Sequence, residues 1–103
     1  MTLQYDERKN IINLRKHHIS IPELATIFDD PNVIMDVVDE KHSIYEDRFY
    51  AYGWTKHGNY VMLWYTYRGE DTIRIIGGRK LKWPEGSYKG GDKDWKFLKC
   101  YPL

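Results

Sequence analysis

At 103 residues the chain has room for one hydrophobic core and none for a cofactor-binding domain beside a separate substrate domain. With 42% hydrophobic, 16% aromatic and 30% charged residues it is too apolar to be disordered and too charged for a membrane protein. The net charge of +1 is unevenly sorted: residues 1–47 carry five Lys/Arg against ten Asp/Glu, a net −5, and residues 48–103 carry eleven against five, a net +6.

Along the chain, Asp6 before Glu7-Arg8-Lys9 is an N-cap with an acidic first turn, and Ile11, Ile12 and Leu14 follow at spacings that make one apolar stripe, which predicts a helix over 7–17. Ser20-Ile21-Pro22-Glu23 is a capping box with Pro in the first turn, where its missing N–H costs nothing; a short second helix over 21–28 follows, with Ile21, Leu24, Ala25 and Phe28 on one side. Asp29-Asp30-Pro31-Asn32 ends it.

The period then changes to that of strands. Residues 33–38 are a β-branched run, 48–54 and 60–67 are rich in aromatics, and 72–76 complete a set of four. Lys56-His57-Gly58-Asn59 and Arg68-Gly69-Glu70-Asp71 carry the turn chemistry that joins antiparallel neighbours. The fold class expected is α+β, two N-terminal helices packed on a four-stranded, mainly antiparallel sheet, with Tyr5, Phe28, Phe49, Val61, Leu63, Ile73 and Ile75 in the core. Residues 1–80 form the domain; 81–103, broken by Trp83-Pro84-Glu85-Gly86 and Lys89-Gly90-Gly91-Asp92, read as an extension that is mostly loop.

No stretch approaches the roughly 18 apolar residues of a membrane span, and Met1–Asp6 has neither the basic start nor the apolar run of a signal peptide, so a cytoplasmic protein with no membrane partner is expected. A single cysteine, Cys100, makes neither an internal disulfide nor a cysteine-based zinc site, and the four histidines lack metal-ligand spacing; no metal and no cofactor are expected. The sorted charge points the basic second half toward a polyanion and the acidic first half toward a basic protein. A Gly-x-Ser-x-Gly elbow, a Cys/His pair at a useful spacing and a phosphate-cradling glycine loop that opens a helix are all missing, which disfavours glycosidase and protease readings.

Taken in order, Tyr5-Asp6, Lys9, Asn13, Lys16-His17, Ile19-Ser20, Phe28, Asp30-Pro31, His42-Ser43, Glu46, Arg48, Gly53, Tyr65-Thr66-x-Arg68 and Arg74-Ile75-Ile76-x-x-Arg79-Lys80 resemble the BrnT family over residues 3 to 80. The resemblance implies a RelE-like fold and the function of a ribonuclease toxin of a type II toxin–antitoxin pair. It implies endonucleolytic RNA cleavage that arrests translation and growth, on free RNA or on mRNA at the ribosome. It also implies neutralisation by a BrnA-like antitoxin, through which alone operator DNA is bound. The chain departs from the family pattern at Gly77-Gly78 and Trp83-Pro84, which implies that the terminal helix is absent or remodelled.

Metal-independent RNA cleavage needs a base for the 2′-hydroxyl, cations for the charge gathering on phosphorus, and an acid for the leaving 5′-oxygen. His42, Glu46, Arg48, Arg74 and Arg79 supply these types: the arginines for phosphate and transition-state charge, His42 or Glu46 as proton carriers in either order. Arg68, Lys80, Tyr50 and Trp64 are the substrate-binding candidates, cations for backbone phosphate and rings for base stacking. Each has a structural reading beside it: a polar loop for His42-Ser43, an ion pair for Glu46 and Arg48, an exposed strand end for Arg74 and Arg79. Lys16-His17 reads as a helix end that complements the dipole. The alternative function is a domain that binds RNA or a protein partner through the same face without cleaving.

Overall fold

The computed structural model describes residues 1–82. Five strands form one mixed sheet in the order β1-β5-β4-β3-β2: β1 (Thr2–Gln4), β2 (Ile34–Val38), β3 (Arg48–Trp54), β4 (Tyr60–Tyr67) and β5 (Thr72–Lys80). β2 through β5 are antiparallel neighbours, and β1 runs parallel to β5. Two helices, α1 (Glu7–His17) and α2 (Ile21–Ala25), lie between β1 and β2, and α2 continues into a 3-10 turn over Thr26–Asp29. The sheet has five strands where the sequence predicts four. The added strand is three exposed residues with no alternation, held by pairing with Thr72–Arg74 at the far end of the domain. The extension beyond Lys82, and with it the expectation of an absent or remodelled terminal helix, lies outside the described residues.

Local signals set the helix starts. Asp6 accepts a hydrogen bond from the Arg8 backbone N–H at 2.8 Å, and Ser20 accepts one from Glu23 at 3.1 Å. α1 ends at His18, whose φ of 59° places a side chain in the left-handed region usually left to glycine. The face α1 buries is not the predicted one. Ile11, Ile12 and Leu14 are exposed, while Asn10 and Asn13 are buried. The reason is what the helix lies against: Asn10 Oδ1 accepts the Ile21 N–H (2.8 Å), Asn13 Nδ2 donates to the Ile19 carbonyl (2.9 Å), and Asn13 Oδ1 accepts the Gly78 N–H (3.0 Å). β1 accompanies β5 only as far as Arg74, and beyond it α1 satisfies the backbone that an absent strand would have paired.

The apolar core comes from Ile19, Ile21, Leu24 and Ile27 packed on Ala51, Val61, Leu63, Tyr65, Ile73 and Ile75, with Phe28 and Phe49 half-buried against it. Val61, Leu63, Ile73 and Ile75 are thus core as expected from their alternation, whereas Tyr5 is exposed because it stands in the short link between β1 and α1. Tyr65 takes its hydroxyl into the core and donates it to Asp36 at 2.6 Å; burial, with that bond, pushes the phenol far above its ordinary range.

A register shift in β5 shapes the opposite face. Trp64 pairs with Gly77 and Tyr65 with Ile75, so Ile76 is the extra residue of a bulge. Arg74 and Arg79 are five apart and would point to opposite faces of a regular strand; the bulge places both on the face turned away from the core. Gly78 admits the backbone and Leu24 here: a Cβ would stand 2.7 Å from the Met62 carbonyl and 2.8 Å from the Leu24 methyls. Gly78→Ala is therefore expected to destabilise the fold by about 1–3 kcal/mol, read as a lower denaturant midpoint at unchanged slope; an unchanged midpoint would refute this account of the close approach.

Candidate active site

On the face away from the core, three cross-strand rows can be read from the register: Arg48, Thr66 and Arg74; Tyr50, Trp64 and Gly77; Tyr52, Met62 and Arg79. Side chains in such rows stand side by side. Between them and the connections at one end of the sheet lies a cleft of about 350 Å³ lined by His17, Asp39, His42, Arg48, Tyr50, Met62, Trp64 and Arg79. Its floor is aromatic and apolar, and its walls carry two guanidiniums, two imidazoles and one carboxylate.

The β2–β3 connection builds one wall. A 3-10 turn over Glu40–His42 is capped by Asp39, which is only 6% exposed. The Asp39 carboxylate accepts from the His42 backbone N–H (3.3 Å) and lies 2.9 Å from His42 Nδ1. A carboxylate on Nδ1 holds that nitrogen protonated and leaves Nε2 with its lone pair free. Ser43 fastens the loop: its Oγ donates to the Asp39 carbonyl (2.6 Å) and accepts the Arg48 N–H (3.0 Å). His42 and Arg48, six positions apart, are thereby fixed at the two ends of one staple. Arg48 Nε is buried with no acceptor among the described residues, while Nη2 stands 3.6 Å from the Glu46 carboxylate. Tyr50 faces Asp39 as well; burial, then the hydrogen bond to Asp39, raises its phenol pKa.

α1 and β5 contribute the remaining cations. Asn10, Asn13 and His17 share one face of α1, so the contacts that seat the asparagines carry His17 to the cleft. His17 meets Trp64 edge-on, with ring centroids 6.0 Å apart and planes at 89°. Burial holds its pKa below the usual histidine value, with Lys16, Arg79 and His18 pushing the same way. Gly77 makes the junction possible, since a Cβ there would stand 2.9 Å from Asn13 Oδ1 and 3.1 Å from the Trp64 ring.

Of the residues singled out in the sequence, His42, Arg48, Arg79, Tyr50 and Trp64 come together in the cleft. Glu46 stands outside it, its carboxylate shared between Arg48 and Arg68 at 3.6 and 3.5 Å. Arg74 lies on the cleft's side of the sheet but turns toward β1, where Nη1 is 3.5 Å from Gln4 Oε1. Lys80 pairs opposite the core residue Val61, is exposed, and does not line the cleft. Three lining residues escape the sequence reading: Asp39, Met62 and, as a site residue, His17. The Asp39-x-x-His42 spacing and the Asn10, Asn13, His17 helical face were the available signals. No group of three or more His, Cys, Asp or Glu side chains is placed to hold a metal ion among the described residues, and no described helix is long and apolar enough to cross a membrane.

A search of curated protein sequences gave no match. Among solved structures, the chain is similar to the Brucella abortus ribonuclease toxin BrnT, with a TM-score of 0.60 at 17% identity, covering 80% of this chain and 97% of that one; at this identity the likeness speaks for the fold. Residues 5–85 match the family described as the ribonuclease toxin, BrnT, of type II toxin–antitoxin systems. That match spans most of the chain, cleft residues from His17 to Arg79 included, and the chain belongs to the BrnT family of ribonuclease toxins.

Proposed function

We propose that the cleft is the ribonuclease site and that it cleaves RNA without a metal, using the ribose 2′-hydroxyl as nucleophile. The observation that carries this reading is the His42 imidazole, tied through Nδ1 to buried Asp39, in a cleft it shares with Arg48 and Arg79. Nε2 of His42 takes the 2′-hydroxyl proton, and Asp39 stabilises the imidazolium that results. Arg48 and Arg79 meet the phosphate and the negative charge that grows on its oxygens, where fixed cations lower the barrier most. Tyr50, Met62 and Trp64 offer a base an apolar, stackable floor, which suits a nucleotide unstacked from a single strand.

The domain works in the cytoplasm. A BrnA-like antitoxin silences it by covering the cleft, and cleavage of cellular RNA in the antitoxin's absence arrests translation and growth; operator DNA is reached through the antitoxin alone. The purified toxin, freed of antitoxin, is expected to cleave labelled RNA at the same rate with and without EDTA, and to lose cleavage on His42→Ala with folding intact. Loss of activity in EDTA would refute metal independence. Failure of the unaltered protein on free RNA, with cleavage restored on translating ribosomes, would place the substrate on the ribosome; failure on both would leave an RNA-binding module.

A further inference from the structure

Two imidazoles border the cleft, and the reaction as described employs one. A phosphodiester attacked by its own 2′-oxygen also needs a proton for the departing 5′-oxygen. The candidates lining the cleft are few. The arginines do not release protons under ordinary conditions. Tyr50 is held to Asp39 by a hydrogen bond that its hydroxyl donates, and burial makes it a still weaker acid. Asp39 is committed to His42. Glu46, the sequence's other proton carrier, stands outside the cleft between Arg48 and Arg68.

We propose that His17 is the proton donor to the leaving 5′-oxygen, paired within the cleft with His42 as the acceptor from the 2′-hydroxyl. The assignment rests on the ribonuclease reading above and completes its proton balance. The 2′-oxygen forms a bond to phosphorus as its proton passes to His42; the bond from phosphorus to the 5′-oxygen breaks, and that oxygen takes a proton from His17. The products are a 2′,3′-cyclic phosphate and a 5′-hydroxyl, and the two imidazoles return to their starting states by exchange with water.

The placement favours this division. His17 is fixed by the helix face that seats Asn10 and Asn13, and by its edge-on contact with Trp64, so its ring is positioned without a carboxylate partner. His42, with its carboxylate, is the one suited to receive and hold a proton. The titratable and charged groups around His17 are Lys16, His18 and Arg79, with Arg48, His42 and Asp39 on the same cleft. Burial, with Lys16 and Arg79 acting the same way, makes protonated His17 a readier donor, and an entering phosphodiester, being an anion, offsets those cations and restores a share of the protonated form.

The test compares two leaving groups in one RNA. An oligonucleotide is mapped for its cleavage position, then remade with a single bridging 5′-sulfur there, since a thiolate leaves without protonation. On the natural oxygen substrate His17→Asn is expected to lose about 100-fold or more, with thermal unfolding unchanged; on the sulfur substrate it is expected to cleave nearly as fast as the unaltered protein. His42→Asn is expected to fail on both. Equal losses on the two substrates for His17→Asn and for His17→Gln would make His17 a positioning residue, and no loss on the oxygen substrate would remove it from the reaction; either overturns the assignment. Absence of cleavage by the unaltered protein, on free RNA and on translating ribosomes alike, would instead overturn the ribonuclease reading on which the assignment stands.

Discussion

Arg79→Ala is expected to lower RNA cleavage roughly 100- to 1000-fold, the cost of removing one fixed donor from a developing oxyanion, and to leave thermal unfolding where it was. Arg79 is charged, lies in the cleft beside Tyr50 and His17, and makes no ion pair among the described residues that its loss would orphan. Arg74, on the same face and equally charged, supplies the internal control. It turns toward Gln4, and Asp6, whose carboxyl pKa is lowered chiefly by its hydrogen bonds from Arg8, feels Arg74 as a smaller influence. As a partly screened charge away from the reacting phosphate, it should cost at most about fivefold when replaced by alanine. Single-turnover cleavage of one labelled oligonucleotide by the two variants checks both values. Equal losses would mean that the phosphate sits nearer Arg74 and that the cleft has been assigned to the wrong end of the sheet.

The second large effect concerns stability. Asn13 is 4% exposed and holds two backbone groups at once, the Ile19 carbonyl and the Gly78 N–H. Truncation to alanine leaves both buried without partners, at about 1–3 kcal/mol each. For a domain of this size a kilocalorie is worth about 4–8 °C in Tm, so Asn13→Ala, losing roughly 2–6 kcal/mol in all, should lower Tm by on the order of 10–50 °C. Asn13→Asp keeps the acceptor for Gly78 and loses the donor to Ile19, and should fall between. A calorimetric Tm for Asn13→Ala within a few degrees of the unaltered protein would show that water replaces the side chain and that α1 is not held to β5 in this way.

These two residues mark what the sequence could and could not disclose. Capping is a contact between neighbours, so Asp6 and Ser20 announced both helix starts, and the strands from Arg48 and Tyr60 announced themselves by composition. β1 carried no such mark, because three exposed residues become a strand only through pairing with Thr72–Arg74. α1 misled for a related reason: apolar periodicity tells which side of a helix meets apolar packing, and this helix buries two amides against backbone while Ile11, Ile12 and Leu14 stay outside. The site divides the same way. His42, Arg48, Arg79, Tyr50 and Trp64 were legible as residue types that RNA chemistry needs, and the fold gathers them. Asp39 looked like one more acid in an acidic half, and its role exists only in a turn that folds back on His42. His17 reads in the sequence as a dipole-matching helix end, and becomes a site residue only because α1 runs beside β5. Glu46 and Lys80 were legible as candidates for the same chemical reasons and stand outside the cleft.

The bulge at Ile76 has a consequence for how this domain can vary. Everything downstream of it in β5 depends on one supernumerary residue: a further residue between Ile75 and Gly78, with the bulge kept, would reverse the parity of the strand's end, sending Arg79 toward Leu24 and Lys80 toward the cleft, whereas one residue fewer would remove the bulge and leave Arg74 and Arg79 four apart on the same face of a regular strand. The strand can therefore lose one residue at the bulge and keep both arginines on one face, but cannot gain one there without turning its end over. Insertions in descendants of this sequence should therefore collect in the turns at Lys56–Asn59 and Arg68–Asp71, and the one deletion that β5 accepts should fall at its bulge.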